Sequence, residues 1–232
     1  MNHGAHHGPI NPLPVVVWWL ALPIVAAEAV FALGQFGLLG GADGVGFRLA
    51  GMRQAAFAPD ALLRMIELGR FDARAVLRLL IYPFVHTSLT HALFTLVFLL
   101  ALGNMVATLF RPWALIALFF GSAIGGALVY TGLSIWLPGR ASLLVGGYPA
   151  VFGLVGAFTF VLWTRLEQQN ENRMRAFALI GLLMLFQLVF ALFGGIGYGW
   201  VAEIAGFVTG FGLSFLLVDG GMARVMAQIR RR

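Results

Sequence analysis

Along the chain, long apolar stretches alternate with short breaks that carry arginine. Runs without any charged residue occupy 79–110, 112–139, 141–164, 176–202 and 204–218, and an earlier stretch from Leu13 to Leu39 is interrupted only by Glu28. Crossing a bilayer core takes about 20 apolar residues in a helix. The pattern therefore predicts spans at 13–36, 86–107, 113–135, 145–164, 175–194 and 198–218. The last of these reaches full length only by taking in Glu203. The expected fold class is an all-α integral membrane bundle of six transmembrane helices, built as a single domain over 1–232 because the later connections are short.

The connection 40–85 is the exception, and its pattern is that of a structured loop. APDALLRMIELGR (58–70) puts Pro59 and Asp60 at a helix start, lines Leu62, Leu63 and Ile66 along one face, and stops at Gly69. DARAVLRLLIYPF (72–84) predicts a second amphipathic helix ended by Pro83. An amphipathic pair beside a membrane span is expected to lie in the interface, partly embedded.

Composition sharpens this picture. The chain is 60% hydrophobic and 10% charged, with a mean hydropathy of +0.91, far from a soluble domain. Its net charge of +6 rests on arginine alone, which in a membrane protein points to topology and lipid headgroups, with no nucleic acid expected as partner. The first 12 residues hold no Lys or Arg, and the apolar run behind them is too long for a signal-peptide core, so the first span is expected to remain as an anchor. Arginine counts on the two sides are eight against seven. The uncompensated RRR in the basic tail 219–232 favours cytoplasmic termini in a cell (inner) membrane. No cysteine is present, and no cofactor or metal is expected; His3, His6 and His7 read as a terminal tail.

Two kinds of residue inside the apolar runs need a reason. Gly121 and Gly125, Gly153 and Gly156, and Gly206 and Gly210 sit one turn apart, the spacing at which helix backbones approach closely in lipid. Spans four and six are thus expected to be neighbours. Ionisable groups in hydrocarbon cost about 3 kcal/mol or more, and Glu28, His86, His91 and Glu203 carry that cost. A hydrogen bond to a neighbouring helix, or snorkelling, accounts for Glu28. His86 and His91, five apart at the start of the second span, are poorly spaced for a metal and read as hydrogen-bonding groups at the rim of a polar cavity. Glu203, one turn before Gly206, is expected to point toward the span that carries Tyr148.

Four segments, taken in order, resemble the rhomboid family of intramembrane serine proteases over about Leu77 to Leu217. Leu77 and Arg78 followed by YPFVH resemble the Trp-Arg element of the first loop, with Leu77 in place of the Trp. HTSLTHALFT (86–95) is similar to His-x-Ser-x-x-His-x-x-x-Asn. GGYPAVFGLVG (146–156) is similar to Gly-x-Ser-Gly-x-x-x-Gly-x-x-Gly, and AEIAGFVTG (202–210) to Ala-His-x-x-Gly-x-x-x-Gly. The resemblance implies a rhomboid-like bundle and marks Gly146, Phe152, Gly153, Gly156, Gly206 and Gly210 as scaffold. It also implies that the nucleophile seat falls on Tyr148 and the base seat on Glu203. Pro149 stands where the motif has Gly, and the oxyanion-hole positions fall on His91 and Thr95.

A serine nucleophile works only beside a base and in front of donors aimed at the developing oxyanion. With both dyad seats replaced, no catalytic residue is expected. The leading expectation is a rhomboid-like pseudoprotease that binds or guides transmembrane segments of client proteins, with membrane lipids as its other partners. An unusual intramembrane endopeptidase, using Tyr148 with Glu203 or a displaced Ser88 or Ser142, is the alternative. A small proton-linked transporter through Glu28, His86, His91 and Glu203 is the third.

Overall fold

The structure, a computed structural model, describes residues 13–136, 143–194 and 198–218. The N-terminal histidines, Arg140, Ser142 and the basic tail 219–232 lie outside the described residues. The regular secondary structure of the described residues is helical apart from an isolated bridge between Phe57 and Leu144, with turns and irregular segments between the helices. The helices are α1 (Val15–Gln35), α2 (Phe47–Ala55), α3 (Pro59–Glu67), α4 (Ala73–Ile81), α5 (Leu89–Ala107), α6 (Pro112–Trp136), α7 (Tyr148–Gln168), α8 (Ala178–Gly194) and α9 (Gly199–Leu217).

Five of them, α1, α5, α6, α7 and α9, are long and apolar enough to cross a membrane. The sixth expected span corresponds to α8. That helix has 17 described residues, about 25 Å at 1.5 Å per residue, at the lower end of the range of about 17–25 that a span takes. Pro23 lies inside α1, where the chain tolerates a missing backbone donor.

The loop 40–85 is structured, as its pattern predicts, and contains one helix more than expected. Pro59 occupies the first position of α3, where its missing N–H is no loss. The Asp72 side chain caps α4 by accepting from the Arg74 amide, and Pro83 lies in the 3-10 turn Tyr82–Phe84 that ends it. The unexpected helix is α2, whose mixed sequence FRLAGMRQA has little apolar periodicity to announce it.

α7 is the centre of the bundle, packed most extensively on α9 and also on α6 and α5. Its buried face runs unbroken from Pro149 to Ala157. The glycine spacing explains the close α7–α9 contact: a Cβ on Gly206 would run into the Pro149 carbonyl, and one on Gly210 into the backbone of Gly153. On the reverse side, a Cβ on Gly156 would strike the Phe207 carbonyl. Backbones this close exchange dispersion contacts that no side chain interrupts, which is the main drive for helix association in lipid. Gly206→Ala must therefore push α9 off α7, and a loss of about 1–3 kcal/mol is expected, the range for overpacked cores. Gly212→Ala, which meets nothing within 4 Å, is expected to be near neutral in the same unfolding titration in mixed micelles.

Candidate functional site

The site forms where α5 and α7 begin, and the segment 82–86 builds its floor. The Tyr82 hydroxyl is buried and donates to the Ala123 carbonyl at 2.7 Å, tying this segment to α6. The Gly146 amide donates to the Tyr82 carbonyl at 3.0 Å, and the Gly147 amide donates to His86 Nε2 at 3.3 Å. The YPFVH run and the GGYP run are thus two halves of one structure. Gly146 adopts φ +98°, a backbone region open to glycine. A Cβ there would also crowd His91 Nε2 at 2.7 Å. A Cβ on Gly147 would meet the Thr95 methyl at 2.7 Å and the Pro83 carbonyl at 2.9 Å.

His86 differs from its expected place. Ser88 is the N-cap of α5, its hydroxyl accepting from the His91 amide at 3.2 Å, so the helix starts at Leu89 and His86 lies before it. The two histidines therefore do not share a helix, and spacing along one does not govern their geometry. Their rings meet edge-on at 4.9 Å. His86 is fully buried, and burial first, then the neighbouring His91 and Arg48, lowers its pKa from the ordinary 6.5 to about 3. Neutral His86 accepts through Nε2, which fixes the proton on Nδ1.

Tyr148 is the first residue of α7 and Pro149 the second, with Gly147 at the cap. Proline at this position gives up no intrahelical bond. The half-buried Tyr148 ring lies against His91, ring centres 4.4 Å apart, within the range of a stabilising aromatic pair. His91 Nδ1 is within 3.1 Å of the Thr87 hydroxyl. The buried Thr95 hydroxyl donates to the His91 carbonyl at 3.0 Å, so its proton is committed to its own helix. Glu203 is buried on α9, one turn before Gly206, which lies against the carbonyl of Pro149 next to Tyr148 in the chain. His86, His91, Thr95, Gly146, Tyr148 and Glu203 are thereby brought into one region, with Pro149, Gly153, Gly156, Gly206 and Gly210 in the α7–α9 packing beneath and Phe152 buried on α7.

Leu77 and Arg78 serve the loop. Arg78 donates to the carbonyls of Gln54 and Arg53 at 3.0 and 3.1 Å, fastening α4 to the end of α2, while Leu77 is exposed.

One member of the polar region escaped the sequence reading. Arg48 on α2 grips Glu28 of α1 with both terminal nitrogens, at 2.9 and 2.7 Å, and also donates to the His86 carbonyl at 3.0 Å. Its guanidinium carbon lies 4.9 Å from the centre of the Phe31 ring. The available signal was charge arithmetic: a lone acid in the first span demands a cation, and Arg48 is the first one after it.

Among the described residues no cluster of three or more His, Asp or Glu stands ready for a metal ion. No curated protein matches the chain. Residues 73–220 match the family model described as the Rhomboid domain, the stretch that carries both halves of this site and the α7–α9 packing, and the chain belongs to the rhomboid family.

Proposed function

We propose that this chain is a rhomboid-family membrane protein without the family's serine–imidazole chemistry, and that it binds transmembrane segments of client proteins. The observation that carries this reading is the seat at the start of α7, where the Tyr148 ring lies against His91 at 4.4 Å. A phenol is a poor substitute for the alkoxide: an acyl-tyrosine forms with difficulty and its ring occupies space that substrate and water must enter. Glu203 stands in the base seat, where a carboxylate is a far weaker base than an imidazole toward a hydroxyl nucleophile. The Thr95 hydroxyl, turned onto the His91 carbonyl, offers nothing to an oxyanion.

In this reading α8 completes a six-span bundle in the cell (inner) membrane. Its 17 residues sit at the lower end of the spanning range, about 17–25. The termini face the cytoplasm, the amphipathic α3 and α4 lie partly in the opposite interface, and clients enter from the bilayer beside α5. The exposed α5 residues Leu93 and Val97 supply an apolar face for them.

The test uses the full-length protein in proteoliposomes with a helix-destabilised transmembrane reporter. The reporter is expected to stay intact and to crosslink to a photoreactive group placed at Val97. Fluorophosphonate is expected to label no serine, including Ser88, which is engaged as the cap of α5. Site-specific cleavage that Tyr148→Phe abolishes would overturn the proposal, and so would absence of any crosslink.

A further inference from the structure

The end of the bundle opposite the site holds a concave feature, a groove between the last turns of α5 and α7. Its volume is about 150 Å³, and its walls include Met105, Leu109, Phe158, Leu162 and Arg165. On α7, Phe158, Leu162 and Arg165 fall at positions that stack along one face. The result is an apolar slot with a cation at its lip.

Three observations say what fills it. The groove lies on two membrane-spanning helices, so its surroundings are lipid. At about 150 Å³ it takes a run of acyl methylenes, whereas a helix is about 10 Å across. The third observation is charge. Arg173 pairs with Glu167, and Arg175 with Glu171 at 3.1 Å, leaving the exposed Arg165 without an acidic partner among the described residues. The headgroup level is marked nearby by Trp163, with Arg173 stacked 5.0 Å above its ring, and by the exposed Trp113 at the start of α6. The geometry points to a specific site for an anionic phospholipid, its phosphate on Arg165 and one acyl chain in the slot between α5 and α7. This site is independent of the chemistry at Tyr148.

Native mass spectrometry of the full-length protein, exchanged into micelles doped with phosphatidylglycerol or phosphatidylcholine, tests it. Wild type is expected to retain phosphatidylglycerol preferentially. Arg165→Gln is expected to lower that retention about fivefold, the equivalent of the roughly 1 kcal/mol an arginine contributes at an anionic lipid surface. Leu162→Trp, which fills the slot, is expected to lower retention of both lipids. Excess inorganic phosphate is expected to displace neither, which separates a lipid site from a phosphate site. Equal retention of the two lipids by wild type, an unchanged Arg165→Gln, or displacement by phosphate would each overturn the assignment. Arg165 is exposed, so its replacement leaves the fold intact, and an unchanged unfolding midpoint verifies this.

Discussion

Glu28→Ala is expected to destabilise the protein by about 3–5 kcal/mol, the range for removing one partner of a buried ion pair. The reason lies in what remains. Arg48 is 20% exposed and Glu28 8%, so the abandoned guanidinium stays largely out of water with one carbonyl and one ring for company. Its bond to the His86 carbonyl at 3.0 Å and its place over Phe31 recover part of the loss, which puts the expected value toward the lower end. Arg48→Leu should cost a similar amount, since it strands the carboxylate instead. The double variant Glu28→Ala with Arg48→Leu should cost less than the sum of the two, because apolar replacement of a whole buried pair is often near neutral. Unfolding titrations in mixed micelles measure all three, and additive losses would show that the pair is not coupled.

That ion pair also marks the limit of what the sequence discloses. The membrane class and the spans on α1, α5, α6, α7 and α9 were legible because lipid forces every spanning helix to be apolar over a fixed length. The α7–α9 neighbourhood was legible too, since Gly206 and Gly210 have no other reason to recur at one-turn spacing. The ends of elements were harder. HTSLTHALFT offers Thr87, Ser88 and Thr90 alike as helix caps, and the start at Leu89 is decided by the Ser88 hydroxyl accepting from the His91 amide. The partner of Glu28 was hidden for a different reason. It comes from α2, a short helix with no apolar stripe, twenty residues away along the chain, and long-range polar pairing leaves no periodic trace. The same holds for the bond from the Gly147 amide to His86, which joins residues 61 apart.

The largest expected change is a gain of cleavage. In the reading proposed above, Tyr148→Ser with Pro149→Gly and Glu203→His is expected to cut a helix-destabilised reporter that wild type is expected to leave intact, because the backbone holds the start of α7 against the turn of α9 that carries residue 203. Gly206 of α9 lies against the Pro149 carbonyl, and the Ala202 carbonyl lies beside Gly126, which also faces Pro149. Residue 203 is therefore held on the turn of α9 that flanks the start of α7. An imidazole there stands where it can take the proton of a serine hydroxyl, and removal of the phenol ring frees the space in front of His91. Dyad members act as a unit, and losing either one costs several orders of magnitude in rate. Each variant carrying only one dyad replacement is thus expected to leave the reporter uncut. Adding Thr95→Asn is expected to raise the rate further, since an amide can reach an oxyanion while the Thr95 hydroxyl is held by the His91 carbonyl. A folded triple variant that a fluorophosphonate does not label would place residues 148 and 203 out of reach of each other, and the reading of these positions as dyad seats would fall with it.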